Sequence, residues 1–221
     1  MFIQSQVGQP SAQSIQAGTP VNARSGQLGD LIVTELHGKF YEQAYRGNLF
    51  SIGSTVTALS ANTITLTATT TPIIGLYNPS TSTVNAVISK AILQIAVAGN
   101  SAVAPGGFVW ATSINNNSIS TGLAPLNRKT LANNGSQVKG FAGSTALTGL
   151  TNNLGIQGGA AFGTLLVSEG STATPVVSGS VIQEFDGSLI IPPGAVLALL
   201  NTVSTTTVSV CAEIIWEEIP V

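Results

Sequence analysis

His37 and Cys211 are the only histidine and the only cysteine in the chain. A transition-metal centre needs several nitrogen or sulfur ligands, so no metal site is expected. A single thiol allows no disulfide within the chain, which fits synthesis in a reducing compartment. A Ser-His-Asp triad would have to join His37 to a distant serine and to Asp30 or Asp186. No G-x-S-x-G elbow is present to present that serine. Acid–base catalysis could draw on Glu169, Glu184, Asp186, Glu213, Glu217 and Glu218, but it needs two carboxyls facing one cleft. Glu217 and Glu218 are adjacent, so a strand would point them to opposite faces, and they read as solvated edge residues. Gly155, Gly158, Gly159 and Gly163 resemble a phosphate loop only superficially. They follow no clear strand and lead to no Lys-Ser/Thr pair, so a flexible loop is expected. These residues predict a chain that is not an enzyme and takes no cofactor.

One cluster stands apart. Charged residues are 7% of the chain, against about 25% in an ordinary soluble domain. Yet Asp30, Glu35, Lys39, Glu42 and Arg46 fall within residues 30–48, beside His37, Tyr41 and Tyr45. Opposite charges set register between partners and aromatics supply contact area. Glu35, His37, Tyr41, Glu42, Tyr45 and Arg46 are therefore the candidate interface residues. Elsewhere, Arg128, Lys129 and Lys139 make only a sparse basic group, which reads as a solvated loop.

The charge balance, 7 Lys+Arg against 9 Asp+Glu, excludes a nucleic-acid binder that works by neutralising phosphates. Hydrophobic residues at 43% argue against disorder. Ser, Thr and Asn supply the polarity and exceed a quarter of the chain. Such a neutral, hydroxyl-rich surface suits packed assemblies. The longest apolar stretch, residues 84–98, is broken by Asn85, Ser89, Lys90 and Gln94, so no membrane span is expected. The opening MFIQSQVGQPSAQ has neither a basic segment nor an apolar run, and no signal peptide is expected.

The elements that must position these residues are strands. Val, Ile and Thr alternate with period two between Gly, Pro and Asn turns. Val208, Val210, Ala212, Ile214 and Trp216 share one strand face, which predicts a core-facing row. Residues 84–97 change phase near Ser89–Lys90, which predicts a β-bulge or two consecutive strands. Further strands are predicted at 54–58, 73–77, 107–112, 164–168, 181–185, 188–191 and 195–200. Asp186-Gly187 reads as a tight hairpin between two of them. The closest helical candidate, residues 31–45, is interrupted by Gly38. From 113 to 162 the alternation lapses among Asn and Gly, and a projecting insertion is expected. The pattern therefore predicts an all-β antiparallel sandwich or barrel over residues 49–221, preceded by an extended arm and interface segment at 1–48.

Three segments carry a resemblance: GDLIVTELHGKFYEQAYRGNLFS (29–51), LYNPSTSTVNAVISKAILQI (76–95) and IPPGAVLALLNTVSTTTVSVCAEIIWEEIP (191–220). They resemble structural proteins of tailed bacteriophages. The C-terminal segment is similar to jelly-roll subunits, where a Pro-Pro-Gly turn precedes an apolar strand and the last strand carries an aromatic. The resemblance implies a jelly-roll-like sandwich and a head decoration, or cement, protein. Such a protein would form a homotrimer, bind the major capsid protein on the virion surface and be made in the host bacterial cytoplasm. It would contact neither nucleic acid nor membrane. The alternative from the same style of sequence is a trimeric receptor-binding fibre or spike tip.

Overall fold

The computed structural model describes residues 5–7, 23–25, 39–54, 57–58, 72–97, 108–114, 123–142, 155–160, 180–201 and 209–221. Strands hold most of the described residues, in two large antiparallel sheets with one helix, so the fold is an all-β sandwich. The chain divides into two compact units, Met1–Tyr41 and Glu42–Val221. In the first, β1 (Ser5–Val7) and β2 (Ala23–Ser25) pair in parallel. Among the predicted elements, the strand at 164–168, the Asn115–Asn117 and Asn152–Asn153 runs, Glu35 and His37 lie outside the described residues.

The helix α1 (Tyr41–Arg46) ends where Gly47 takes φ +82°. Gly47 N–H donates to the Ala44 carbonyl and Asn48 N–H to the Gln43 carbonyl. This is the Schellman pattern, which satisfies the last helical carbonyls and needs a residue free to adopt a left-handed conformation. The chain then runs through β3 (Leu49–Gly53), β4 (Thr57–Ala58), β5 (Ile74–Tyr77), β6 (Val84–Val97) and β7 (Phe108–Ser113). Three shorter elements follow, β8 (Leu126–Asn127), β9 (Lys139–Ala142) and β10 (Gly155–Ala160). The last strands are β11 (Ser180–Ile191), β12 (Val196–Asn201) and β13 (Ser209–Pro220).

One sheet has the order β11-β6-β13-β3-β8, with β4 also on β13; the other has the order β10-β7-β12-β5-β9. Val210, Ala212, Ile214 and Trp216 are buried as their spacing predicts, in one cluster with Ile74, Leu76, Leu197 and Leu199 of the other sheet. Trp216 stacks on Phe50 with centroids 6.1 Å apart. In β12 every residue is buried, and Val196, Ala198 and Leu200 join a second cluster with Tyr77 and Phe141. An uninterrupted apolar run such as VLALL is what a strand buried on both faces requires.

The phase change in β6 is a bulge at Ser89. Lys90 pairs with Ile215 and Ile88 with Trp216, so Ser89 has no partner on β13. The bulge returns Ala86 and Ile88 to the core alongside Ala91 and Leu93, all of which are buried. The predicted hairpin at Asp186-Gly187 is not one. Both residues have positive φ, +48° and +82°, as a two-residue turn demands. The segments flanking them pair with β6 rather than with each other, and the register shifts between Glu184 and Leu189. The turn signal is therefore spent on a wide bulge within one strand.

The stretch expected to project between 113 and 162 is partly built into the sheets. β8 extends β3, β9 extends β5 and β10 pairs with β7. Val138 and Phe141 are fully buried. The glycine-rich residues 155–160 form a strand, not a free loop. Two- and four-residue strands are too short to display a period-two pattern.

Candidate interaction surface

Asn127, buried at the end of β8, organises a tight turn. Its Oδ1 accepts from the Lys129 and Thr130 amides at 2.9 and 3.3 Å. Its own amide donates to the Ala132 carbonyl, and its carbonyl accepts from Leu131 N–H. Its Nδ2 donates to the Gly47 carbonyl at 2.8 Å, which ties the turn to the end of α1. An Asn side chain bonding its own following amides is the Asx geometry that short turns favour.

This turn forces Leu131 to φ +56°, which is costly for a residue with a Cβ. The same residue is 72% exposed. Strain and apolar exposure thus coincide at one position. Beside it, Lys129 Nζ lies 5.0 Å from the Tyr45 ring centroid, a distance at which an ammonium is attracted to the ring face. Tyr41 and Tyr45 are 44% and 60% exposed and stand one helical turn apart in α1.

The predicted interface residues are therefore partly assembled. Tyr41, Glu42, Tyr45 and Arg46 share α1, and Tyr45 gains Lys129. Glu42 and Arg46, however, bond each other at 2.8 Å in the i,i+4 relation, so they neutralise one another within the helix. Sequence reasoning missed Asn127 and Leu131. Lys129 carried a weak signal in the Arg128-Lys129 pair; the backbone angle of Leu131 has no sequence signature.

The carboxylates do not converge on a cleft. Glu213 pairs with Arg128 across the outer face of β3. Glu217 lies on the same outer face, where burial raises its carboxyl pKa. Glu184 and Asp186 are exposed on β11. Glu218 corrects the solvated-edge expectation, because β13 lies between β6 and β3 rather than at an edge. Its side chain is buried and accepts from Ser136 Oγ at 2.5 Å, Gln137 N at 3.1 Å, Val138 N at 3.4 Å and Trp216 Nε1 at 3.3 Å. It anchors the 136–138 segment to the C-terminal strand, and a buried carboxylate with donors on both oxygens has a structural task.

Among the described residues no group of three His, Cys, Asp or Glu side chains could hold a metal ion, and no helix is long and apolar enough to cross a membrane. What stands out chemically is an exposed tyrosine, Tyr45, with the Lys129 cation over its ring, and near Lys129 in sequence the strained, exposed Leu131. No protein-family model, no curated protein and no solved structure matches the chain.

Proposed function

We propose that this chain is a non-enzymatic virion protein that decorates and cements a bacteriophage head by binding the major capsid protein lattice as a homotrimer. The observation that carries the reading is the strand order. Eight strands divide into β3-β13-β6-β11 and β5-β12-β7-β10, and along the chain each of the eight changes sheet from the one before except β10, which stays beside β7, in the manner of two interleaved Greek keys. We read this as a jelly roll, an architecture used by capsid subunits and also by lectins and cupins. The near-neutral, hydroxyl-rich composition favours the first of these, since a surface with little charge repulsion suits dense packing. The Tyr45–Lys129–Leu131 patch is the protein-contact surface in this reading.

The test is sedimentation of the purified chain with purified phage particles from the source of the sequence. Under this reading the chain pellets with the heads at a fixed ratio to the major capsid protein, and heads carrying it withstand heating that opens bare heads. A chain that stays in the supernatant and is missing from purified particles refutes the reading. Binding at the tail tip instead would move the assignment to a receptor-binding fibre.

A further inference from the structure

Asn134-Gly135 is the only Asn-Gly pair in the chain. Both residues are exposed, in the irregular stretch between β8 and β9. Gly135 takes φ +85° and carries no Cβ to shield its amide nitrogen. Among the described residues that N–H donates to no backbone carbonyl. The side-chain carbonyl of Asn134 accepts from Thr130 Oγ1 at 3.3 Å, which draws electron density from the carbon a nucleophile would attack. Asn134 also lies on a short bridge between two anchors. On one side the Asn127 amide donates to the Ala132 carbonyl at 2.9 Å. On the other, Ser136 Oγ and the Gln137 and Val138 amides donate to Glu218. Residues 133–135 alone join the two.

We propose that Asn134 is a site of self-modification: in the folded chain it converts to aspartate and isoaspartate, with water as the co-reactant. The Gly135 nitrogen gives its proton to solvent base and attacks Asn134 Cγ. The new N–Cγ bond closes a succinimide ring, and the side-chain nitrogen leaves as ammonia. Water then opens the ring in one of two ways. Breaking the N–Cγ bond leaves an ordinary backbone with an aspartate at 134. Breaking the bond from the nitrogen to the former main-chain carbonyl routes the backbone through Cβ and Cγ and leaves the old carbonyl as a carboxylate. This isoaspartyl route adds one methylene, about 1.5 Å, to the bridge of residues 133–135. Asn127 is buried, whereas Ser136 is half-buried and Gln137 exposed, so the Glu218 anchor gives first. Gln137 then also loosens its hold on Thr83, whose amide donates to Gln137 Oε1 at 2.9 Å. Chemistry at the surface thus ages the chain at the carboxylate that ties residues 136–138 to β13.

The test is to hold the full folded chain for weeks at neutral and at mildly alkaline pH, with circular dichroism as the check on folding. Tandem mass spectrometry reads conversion of each amide to an acid, and an isoaspartate methyltransferase labels the isoaspartyl share. Asn134 should convert about tenfold faster than Asn133, which is equally exposed but precedes a residue with a Cβ. Conversion should quicken with pH, because the deprotonated amide attacks. Gly135→Ala shields the nitrogen and should suppress the label; Asn134→Gln, which must close a larger ring, serves if alanine at the positive φ disturbs the fold. In the isoaspartyl chain, separated by ion exchange, the Gln137 amide should exchange with deuterium about tenfold faster than in the parent. Freshly made Asn134→Asp has the charge without the added methylene and should exchange at the parental rate. None of these readouts depends on capsid binding. Conversion at Asn134 no faster than at Asn133, or conversion only after unfolding in urea, overturns the site. Parental Gln137 exchange in the isoaspartyl chain overturns the release of the Glu218 anchor.

Discussion

Replacing Glu218 with alanine tests whether a buried carboxylate ties the C-terminal strand to the segment ahead of β9. The substitution removes the acceptor for four donors, two of which belong to residues with almost no exposure, Trp216 at 0% and Val138 at 1%. An orphaned buried donor costs about 1–3 kcal/mol. Ser136 is half-buried and Gln137 exposed, so water can satisfy their groups. The expected loss is therefore about 2–6 kcal/mol, a large fraction of the roughly 5–15 kcal/mol that holds an ordinary domain together. Equilibrium urea unfolding followed by tryptophan fluorescence measures it, and an unchanged slope would assign the loss to the native state. Glu218→Gln keeps one acceptor oxygen but turns an N–H toward a backbone donor, so it should fall between parent and alanine. A double-mutant cycle with Ser136→Ala should give a coupling of about 0.5–3 kcal/mol. A loss below about 1 kcal/mol for Glu218→Ala would refute the reasoning and mean that the 136–138 segment is held by something else.

Other outcomes follow from single positions. A Cβ on Gly75 would lie 2.3 Å from the Phe141 ring and 2.5 Å from the Leu197 carbonyl; Gly75→Ala should cost at least about 2 kcal/mol in the same unfolding assay, because the backbone carbonyl cannot swing aside. Glu217 has its carboxyl pKa raised by burial. The folded state therefore holds that proton more tightly than the unfolded chain. The resulting stabilisation is complete below the ordinary value of 4.5 and is lost as pH rises through the raised value. Glu217→Gln should accordingly raise the urea midpoint at pH 7, with the gain shrinking toward pH 4. Deleting Ser89 removes the extra residue of β6 and leaves Ala86, Ile88, Ala91 and Leu93 in one unbroken alternation opposite β13, so both halves still face the core and circular dichroism should keep a cooperative transition; a lost transition would refute the bulge. Removing residues 1–46, which takes away α1 and Tyr45 with the arm, should leave a domain that still unfolds cooperatively but no longer sediments with heads.

The strand faces were legible because burial imposes a period of two. Val210, Ala212, Ile214 and Trp216 declare a core row, and the phase slip in β6 declares its bulge. The apolar run of β12 likewise foretells burial, though not that it extends to both faces. Local chemistry also marked Asp186-Gly187 as a turn, since both residues tolerate positive φ. Whether that turn joins two paired strands or interrupts one depends on which neighbour the flanks bond, and only the sheet order decides it.

The interface residues divide in the same way. Composition alone singled out Tyr41, Glu42, Tyr45 and Arg46, because charge is so scarce elsewhere. That Glu42 and Arg46 neutralise each other follows from helical geometry, in a segment too short for its pattern to declare a helix. Lys129 reaches Tyr45 across more than eighty residues because β8 lies beside β3, and Leu131 is strained because Asn127 closes the turn beneath it. Glu218 reads in sequence like its neighbour Glu217. Its burial is set by the central place of β13 and by the donors of residues 136–138, which only the folded chain brings to it. Alternation along a strand is a local property that the sequence carries by itself; the order of strands in a sheet, and every contact between distant segments, is a property of the tertiary fold.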